Sequence, residues 1–318
     1  MGKMGNKLLV FLGTSICLLI FMACEDRHSS LDFEWKEVLV SQGDHIQSIV
    51  AKDSMIFAAT RFHGVLSTSD SGYTWNEKNN GITNTWLTTL AKDDSFIYAG
   101  ARELYIFRSS DNGETWADAN LGLSHILGEL TSSVVRGSTL FVGTLQHGIS
   151  YSTDRGDHWN KVNNSALTHI NALFADGDTV YAGTYHGVYY CPSSDSVWLP
   201  LHSELENQSI VSIGKAGTNL LIGTNDVNYK YTQYGELLEL TGGVSDDGMQ
   251  VFCGFGANIL AGVYSQGIYL STDGGTHWKN VSGNLSGLPV LSISIVDSTV
   301  FVGSENKIHT MSINELMR

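Results

Sequence analysis

The sequence predicts an all-β fold made of repeated four-stranded units, and three observations lead to this prediction. A five-residue segment with a small residue in its fourth position recurs seven times, at intervals of 39 to 43 residues. An eight-residue pattern, [S/T]-x-D-x-G-x-[T/H]-W, occurs four times. Short apolar runs rich in Val, Ile and Tyr are bounded by Gly, Asn, Asp and Ser, which is typical of strands. A fixed period of this length is typical of stacked supersecondary units.

Each unit is predicted to contain four strands in a fixed order. The first is an apolar run such as residues 169–175 (HINALFA), and the second carries the small residue. The third follows a short loop, as in residues 267–271 (GIYLS), and the fourth begins at the tryptophan of the eight-residue pattern. Seven antiparallel units of this kind in a ring form a seven-bladed β-propeller, whose blades leave only short, protected edges.

The ring is predicted to close through the N-terminal part of the chain. The seventh unit has three predicted strands and then ends without the eight-residue pattern. Residues 33–40 (FEWKEVLV) place Trp35 where the first repeat has Trp75. We therefore expect strand 33–40 to be the outer strand of the last blade, because pairing the two ends hides edges that would otherwise invite aggregation.

The first 32 residues differ from the propeller region. Lys3 and Lys7 precede an apolar run that is shorter than the roughly 20 residues of a membrane-spanning helix, so residues 1–23 are predicted to be a secretory signal. The segment IFMAC resembles a bacterial lipobox, which would make Cys24 the lipidated first residue, with plain secretion as the alternative. The predicted domains are the signal 1–23, a tether 24–32 and the propeller 33–318. The expected location is the bacterial cell envelope, on the periplasmic side or the cell surface.

Composition excludes some classes of partner. The formal net charge of −14 argues against nucleic acid, whose binding draws on clustered Lys and Arg. Beyond Cys24 the chain holds only Cys191 and Cys253, so no disulfide framework is predicted. No cofactor is expected, and the protein is expected to be a monomer that meets the membrane through its lipid.

The four copies of the eight-residue pattern are predicted to be structural turns between the third and fourth strands. Glycine adopts positive φ at no steric cost, Asp and Ser/Thr oxygens accept from turn amides, and Trp buries a large ring between sheets. Fourfold repetition favours structure over catalysis, because every repeat must solve the same folding problem. The residues concerned are Asp70, Gly72, Trp75, Asp111, Gly113, Trp116, Asp154, Gly156, Trp159, Asp273, Gly275 and Trp278.

This pattern resembles the BNR/Asp-box repeat of sialidases, sortilin-type receptors and the photosystem II stability/assembly factor family. The resemblance covers about residues 33–318 and implies a propeller whose boxes lie on the face away from the ligand. The layout is most similar to the assembly-factor-like propellers, which are exported or lumenal and hold partner proteins with an arginine-rich patch. Arg61 and Arg102, on adjacent blades, would supply part of such a patch.

Candidate ligand-binding residues lie in the loops between second and third strands and just before the first strands. These positions vary between repeats while the framework does not, which is expected of one asymmetric site on a repeated scaffold. Arginines there would pair with carboxylates, and aromatic rings would stack on apolar or sugar faces. A plain solvated rim is the alternative. The candidates are Arg61, His63, Trp86, Arg102, Tyr185, His186, Asp226 and Tyr264.

A glycoside hydrolase of sialidase-like type is the alternative function. Sialidases use three arginines and have six blades, whereas this chain has seven units and lacks a third arginine on the predicted rim. Other glycosidases need two carboxylates roughly 5 to 9.5 Å apart, for which the candidates are Glu103, Glu129, Asp226 and Glu305. No catalytic residue is assigned, and no metal site is predicted because the histidines lack ligand spacing. The sequence favours a non-catalytic propeller that binds a protein or a glycan.

Overall fold

The computed structural model describes residues 33–40, 44–103, 105–123, 128–192, 197–240 and 249–318. The strands of these segments form seven four-stranded sheets, in which sequence neighbours pair antiparallel. The predicted seven-bladed propeller is therefore confirmed. The proposed signal, the tether and Cys24 lie outside the described residues. Within the part of the chain that is described, no helix combines the length and apolar character needed to cross a bilayer.

The first strand, β1 (Lys36–Leu39), belongs to the last blade, and blades 1 to 3 follow it in the chain. Blade 1 contains β2 (Ile46–Lys52), β3 (Met55–Thr60), β4 (Val65–Thr68) and β5 (Asn76–Glu77). Blade 2 contains β6 (Leu87–Lys92), β7 (Ile97–Ala101), β8 (Tyr105–Ser109) and β9 (Ala117–Asp118). Blade 3 contains β10 (Leu130–Arg136), β11 (Thr139–Thr144), β12 (Gly148–Ser152) and β13 (Asn160–Lys161).

Blades 4 to 7 repeat this order. Blade 4 contains β14 (Ile170–Asp176), β15 (Thr179–Thr184), β16 (Gly187–Pro192) and β17 (Leu199–Pro200). Blade 5 contains β18 (Ile210–Ala216), β19 (Asn219–Thr224), β20 (Tyr229–Tyr231) and β21 (Leu237–Glu239). Blade 6 contains β22 (Met249–Phe255), β23 (Asn258–Val263), β24 (Gly267–Ser271) and β25 (Lys279–Asn280). Blade 7 contains β26 (Ser292–Val296), β27 (Thr299–Gly303) and β28 (Lys307–Ser312), followed by helix α1 (Ile313–Leu316).

The recurring small residue of the second strand sets the spacing between blades. A Cβ added to Gly143 would lie 2.4 Å from Ile170, the first residue of the next blade's inner strand. At Gly183 the corresponding distance to Ile210 is 2.6 Å. At these two positions an added methyl group would crowd the buried isoleucine, and overpacking of a core is destabilising. The small residue therefore recurs because the second strand of one blade packs closely against the inner strand of the next.

The apolar core lies between adjacent blades. One cluster joins Phe57 of blade 1 to Leu87, Leu90 and Phe107 of blade 2, with the ring of Trp116 packed on it. Burying a side chain of this size contributes roughly 1.5–3 kcal/mol. Each cluster draws side chains from two neighbouring blades, so closure of the ring buries apolar side chains between the last and the first blade as well.

Closure occurs as the sequence predicted, through the N-terminal strand. β1 pairs with β28 in antiparallel register, from Lys36 opposite Thr310 to Leu39 opposite Lys307. Trp35 is buried, and its indole Nε1 donates to the carbonyl of Val281 at 3.0 Å. The side chain of Asn284 accepts from the Trp35 N–H at 2.9 Å and donates to its carbonyl at 3.0 Å. The backbone hydrogen bonds between β1 and β28 and the buried Trp35 side chain thus hold the closure seam together.

Candidate functional site

The four repeated turns are held together by hydrogen bonds within each turn. The Asp70 carboxylate accepts from the Thr68 hydroxyl at 2.6 Å, from the Thr74 N–H at 2.9 Å and from the Thr74 hydroxyl at 2.6 Å. These bonds, above all those from the Thr68 and Thr74 hydroxyls, lower the pKa of Asp70 to about 2. The Thr68 hydroxyl also accepts from the Gly72 N–H at 3.1 Å. The carboxylate is therefore engaged by its own turn.

Histidine replaces threonine in two of these turns without changing the arrangement. The Asp154 carboxylate accepts from the His158 N–H and from its Nδ1, both at 2.8 Å. The backbone bond, followed by the ring bond, lowers the pKa of Asp154 to about 2. Asp273 accepts from the N–H and Nδ1 of His277 at 2.9 and 2.7 Å, and the backbone bond is the main cause of its lowered pKa.

The glycine of each turn is required for conformation and for space. Gly275 has φ of +89°, and an added Cβ would lie 2.5 Å from the side chain of Leu240 in the preceding blade. The tryptophans differ in depth, since Trp116 is buried while Trp75, Trp159 and Trp278 are half-buried. Trp116 and Trp159 donate Nε1 to backbone carbonyls of the preceding blade. These contacts tie neighbouring blades together at this edge, which we call the turn edge.

The predicted ligand-binding loops lie at the opposite edge, which we call the rim. Strands of one blade alternate in direction, so the connections between second and third strands emerge opposite those between third and fourth strands. The cluster formed by Arg61, Phe62, Trp86 and Arg102 occupies the rim of blades 1 and 2, and we call it the rim cluster. The guanidinium carbons of Arg61 and Arg102 lie 4.8 and 4.3 Å from the Trp86 ring centroid.

Each ring and cation of the rim cluster is supported by a neighbour. Phe62 packs edge-on against Trp86 with ring centroids 5.5 Å apart, and Arg61 also lies over the Phe62 ring at 5.3 Å. The Arg102 N–H donates to the Trp86 carbonyl at 2.9 Å. Arg102 Nε is 3.7 Å from a carboxylate oxygen of Glu129 in blade 3. Among the described residues, Arg61 makes no ion pair. The cluster thus presents two cations held on aromatic faces.

An open depression of about 510 Å³ adjoins the rim cluster. Trp86 and Arg102 line it together with Asn84, Glu103 and Tyr105. The Asn84 side chain accepts from the Trp86 N–H and donates to the Arg102 carbonyl, both at 3.0 Å, so it fixes the two backbones relative to each other. A larger depression of about 1110 Å³ lies at the closure seam, away from the rim cluster, and mixes acidic and basic side chains.

His63 is paired with a buried carboxylate that sequence reasoning missed. Asp44 is 1% exposed, and its Oδ2 lies 2.6 Å from His63 Nδ1. Its two oxygens also accept from the N–H groups of His45, Phe62 and His63 at 2.7, 3.0 and 3.1 Å. Burial alone would raise the pKa of Asp44, but the bonds from His63, His45 and Phe62 outweigh it and the pKa is lowered.

The remaining predicted residues are spread around the rim. Tyr185 of blade 4 stacks on His169 with ring centroids 4.8 Å apart, and His186 is exposed beside it. Asp226 and Tyr264 are exposed on the loops of blades 5 and 6. Within the described segments, no hydrogen bond or ring contact joins these four residues to the rim cluster. The structure therefore groups Arg61, Trp86 and Arg102, with His63 in the same loop as Arg61, but leaves Tyr185, His186, Asp226 and Tyr264 apart.

The candidate metal ligands and glycosidase carboxylates are spread over the described part of the ring. No group of three or more His, Cys, Asp or Glu side chains there is arranged to hold a metal ion. Of the candidate glycosidase carboxylates, Glu129 faces Arg102, and Glu305 pairs through its backbone with His45. Glu103 and Asp226 are exposed on the loops of blades 2 and 5.

Comparisons with known proteins agree on the fold. No protein-family model matches the chain, and no curated protein matches it. YCF48 from Cyanidioschyzon merolae is 16% identical with a TM-score of 0.71, over 88% of this chain and 99% of that one. YCF48 bound to D1 peptide is 14% identical with a TM-score of 0.71, over 87% and 96%.

Two further structures share the architecture. The extracellular domain of the putative one component system BT4673 from B. thetaiotaomicron is 15% identical with a TM-score of 0.72, over 88% of this chain and 40% of that one. A catalytically inactive virginiamycin B lyase from Staphylococcus aureus, with Quinupristin, is 13% identical with a TM-score of 0.74, over 88% and 99%. At these identities the likeness establishes one conclusion, that this chain has the propeller fold of these proteins.

Proposed function

We propose that this protein is an exported, membrane-anchored, non-catalytic propeller that captures an acidic segment of a partner protein through the rim cluster. The observation that carries the proposal is the pair of guanidinium groups held within 5 Å of the Trp86 ring on a chain of net charge −14. Arginine forms bidentate bonds with carboxylates, and Trp supplies a large contact area that is rigid once packed. Carboxylates beside apolar side chains are the chemistry that fits.

A protein partner is favoured over a glycan. The YCF48 structure with a bound D1 peptide is a protein of the same fold that binds a peptide. The cationic character of the rim cluster favours a ligand that carries several carboxylates, which an acidic peptide offers at regular spacing. Neutral glycans would use the ring faces and leave Arg61, which makes no ion pair with a described residue, without a counter-charge.

The proposed membrane anchor fits the position of the first described residues. Phe33 and Trp35 lead into β1 at its turn-edge end, because β1 takes the place of a fourth strand in its blade. The nine residues 24–32 span at most about 30 Å when extended. A lipid on Cys24 would therefore hold the turn edge towards the membrane and leave the rim facing away from it, accessible to partners.

The test is capture of envelope proteins by the purified propeller and by an Arg61→Ala/Arg102→Ala variant. We expect the variant to lose most of the captured partner while its melting temperature changes little. The matched control is Arg108→Ala/Arg155→Ala, which removes the same charge from a similar cluster around Phe96 at the turn edge. Equal capture by wild type and the rim variant, or equal loss in the control, would contradict the proposal.

Two parallel assays separate the alternatives. Binding to a glycan array that is lost in the rim variant would replace the protein partner with a glycan. Turnover of a fluorogenic sialoside that is lost in the Arg61→Ala single variant would assign the chain to the glycoside hydrolases instead. Metabolic labelling with a lipid precursor, compared with a Cys24→Ser variant, tests the anchor.

A further inference from the structure

The Asp44–His63 pair has a chemical consequence that goes beyond the charge of the rim cluster. Asp44 and His63 are 19 positions apart, and their contact joins the segment before β2 to the loop after β3. The Asp44 side chain is fully buried, whereas the His63 side chain is 39% exposed at the rim. A buried carboxylate therefore orients an imidazole whose other nitrogen, Nε2, makes no hydrogen bond with a described residue.

The carboxylate determines which ring nitrogen carries the proton. An ionised carboxylate only accepts hydrogen bonds, and the lowered pKa keeps Asp44 ionised at neutral pH. Nδ1 of a neutral His63 must then carry the hydrogen, because it lies 2.6 Å from Asp44 Oδ2. In that tautomer Nε2 has a free lone pair, so the exposed side of the ring is a hydrogen-bond acceptor.

The surrounding contacts fix the backbone on both sides of the pair. The Asp44 N–H donates to the Asn306 side chain at 2.7 Å, and its carbonyl accepts from the Asn306 N–H at 2.8 Å. The His63 N–H also donates to the Thr60 hydroxyl at 2.9 Å, and its carbonyl accepts from the Asn79 side chain at 2.8 Å. Blade 7 and both flanks of the loop thus hold the pair.

We infer that Asp44 is a positioning residue that makes His63 a hydrogen-bond acceptor, so that the site takes an extended acidic peptide with a backbone N–H directed at Nε2. This inference rests on the proposed function. Arg61 belongs to the same three-residue loop and takes the carboxylates, while His63 takes the amide between them. An extended peptide presents backbone N–H groups along one edge and carboxylate side chains on the faces beside them, whereas a bare cluster of arginines would accept any anion.

The test uses two peptides of equal charge. One is a fluorescein-labelled hexaglutamate, and the other is the same peptide with alternate backbone amides N-methylated. We expect wild type to bind the unmethylated peptide about 3- to 10-fold more tightly, which is the contribution of one hydrogen bond. His63→Phe should abolish this preference, because it removes Nε2. The three backbone N–H groups that donate to the Asp44 carboxylate stay in place.

The Asp44→Asn variant tests whether Asp44 sets the tautomer of His63 or only stabilises the loop. The amide keeps the shape of the side chain. With its oxygen on the N–H groups of His45 and Phe62, its N–H₂ group takes the place of Oδ2, so the bond from the His63 N–H is lost. Nδ1 of His63 must then accept, which moves the hydrogen to Nε2. We expect the ¹⁵N chemical shifts to show that Nε2 of His63 now carries the hydrogen and Nδ1 does not. We also expect the preference for the unmethylated peptide to disappear. Asp154→Asn is the matched control, since Asp154 pairs with His158 at the turn edge.

The possible outcomes distinguish a failure of the role of Asp44 from a failure of the proposed function. Equal wild-type affinity for both peptides, or an Asp44→Asn variant with the wild-type tautomer and preference, overturns the role of Asp44 and leaves the proposed function intact. A wild-type protein that binds neither peptide, with the same result in the Arg61→Ala/Arg102→Ala variant, overturns the proposed function and this inference with it.

Discussion

Asp–His pairs occur at both edges of the ring, and they share the same contact between Nδ1 and a carboxylate oxygen but differ in burial and in sequence separation. At the turn edge, Asp154 and His158 are four residues apart, exposed, and replaceable by the Asp70–Thr74 pair of another blade. At the rim, Asp44 is buried and meets His63 from a distant part of the chain. The comparison teaches that the residue pair itself does not indicate chemistry. The repeated pairs stabilise turns, whereas the buried pair is the one that we infer to be oriented for binding.

The same contrast applies to the charges. Carboxylates at the turn edge accept most of their hydrogen bonds from their own turn, so little capacity remains for a ligand. At the rim, the arginines rest on Trp86, and their N–H donors are largely left for solvent or a partner. Changes at the turn edge should therefore reduce stability without affecting binding, and changes at the rim should do the reverse. Three experiments test this division, and a fourth concerns the closure seam.

The largest effect is expected from Gly275→Ala. The new Cβ would lie 2.5 Å from Leu240 at a φ of +89°, so both crowding and backbone strain apply. We expect a loss of about 3 kcal/mol in the free energy of unfolding, measured by urea titration. Gly256→Ala is the control, because it has φ of +61° with no atom within 4 Å of the new Cβ. This control should lose only about 1 kcal/mol in the free energy of unfolding. Equal losses in the two variants would show that crowding by Leu240 has no effect.

A second large effect concerns the closure seam and pH. Burial lowers the pKa of His309 to about 4, against the opposing effect of Glu37, and the ring lies on β28 opposite β1. The unfolded chain binds the proton near pH 6.5 and the folded chain only near 4, so stability falls as pH drops between these values. We expect a fall of up to about 3 kcal/mol between pH 7 and 4.

The measurement is urea unfolding of wild type and His309→Leu across this range. The variant should show a flatter dependence on pH between 6.5 and 4, because it has no imidazole to protonate on unfolding. A parallel pH dependence in both proteins would show that other groups are responsible. A loss of stability on going to higher pH in this window would contradict the sign of the argument.

A smaller difference in stability is expected between the removal of a carboxylate at the turn edge and the removal of one at the rim. Asp111→Ala removes three hydrogen bonds from its own turn, and we expect a loss of about 1 kcal/mol, because the site is exposed to solvent. The hydroxyl and N–H of Thr115 lower the pKa of Asp111, so this contribution is present above pH 4 and is lost in stronger acid. Asp226→Ala at the rim is the matched control, with an expected change within about 0.5 kcal/mol.

Much of the fold could be predicted because the sequence repeats its own constraints. The small residues at positions such as Gly143 and Gly183 recur because every blade must approach the next one closely. The closing strand was recognisable because Trp35 occupies the place that Trp75 has in its own blade. These features are local or periodic, so they can be read without knowing which distant residues meet. The blade count and the closure of the ring followed from them.

The candidate site could be predicted only in part, because it depends on contacts that occur once. Arg61, Trp86 and Arg102 were identified one by one from their loops, but their assembly around one indole needs the geometry of two blades. Asp44 gave no signal, because its contact with His63 joins two segments that are 19 positions apart in the chain. The stacking of Tyr185 on His169 likewise depends on a left-handed backbone at His169, with φ of +54°.

The smallest expected effect distinguishes charge from geometry at the rim. Arg61→Lys keeps the positive charge but loses the planar fork that binds a carboxylate bidentately and stacks on Trp86. We expect the affinity for the acidic partner to fall about 3- to 10-fold, well short of the loss in the double alanine variant, with an unchanged melting temperature. Arg155→Lys at the turn edge is the control. Wild-type affinity in Arg61→Lys would mean that the rim supplies only a diffuse positive field. In that case the contrast between the two edges would be one of net charge, and the ordered stack of Arg61, Trp86 and Arg102 would have no part in recognition.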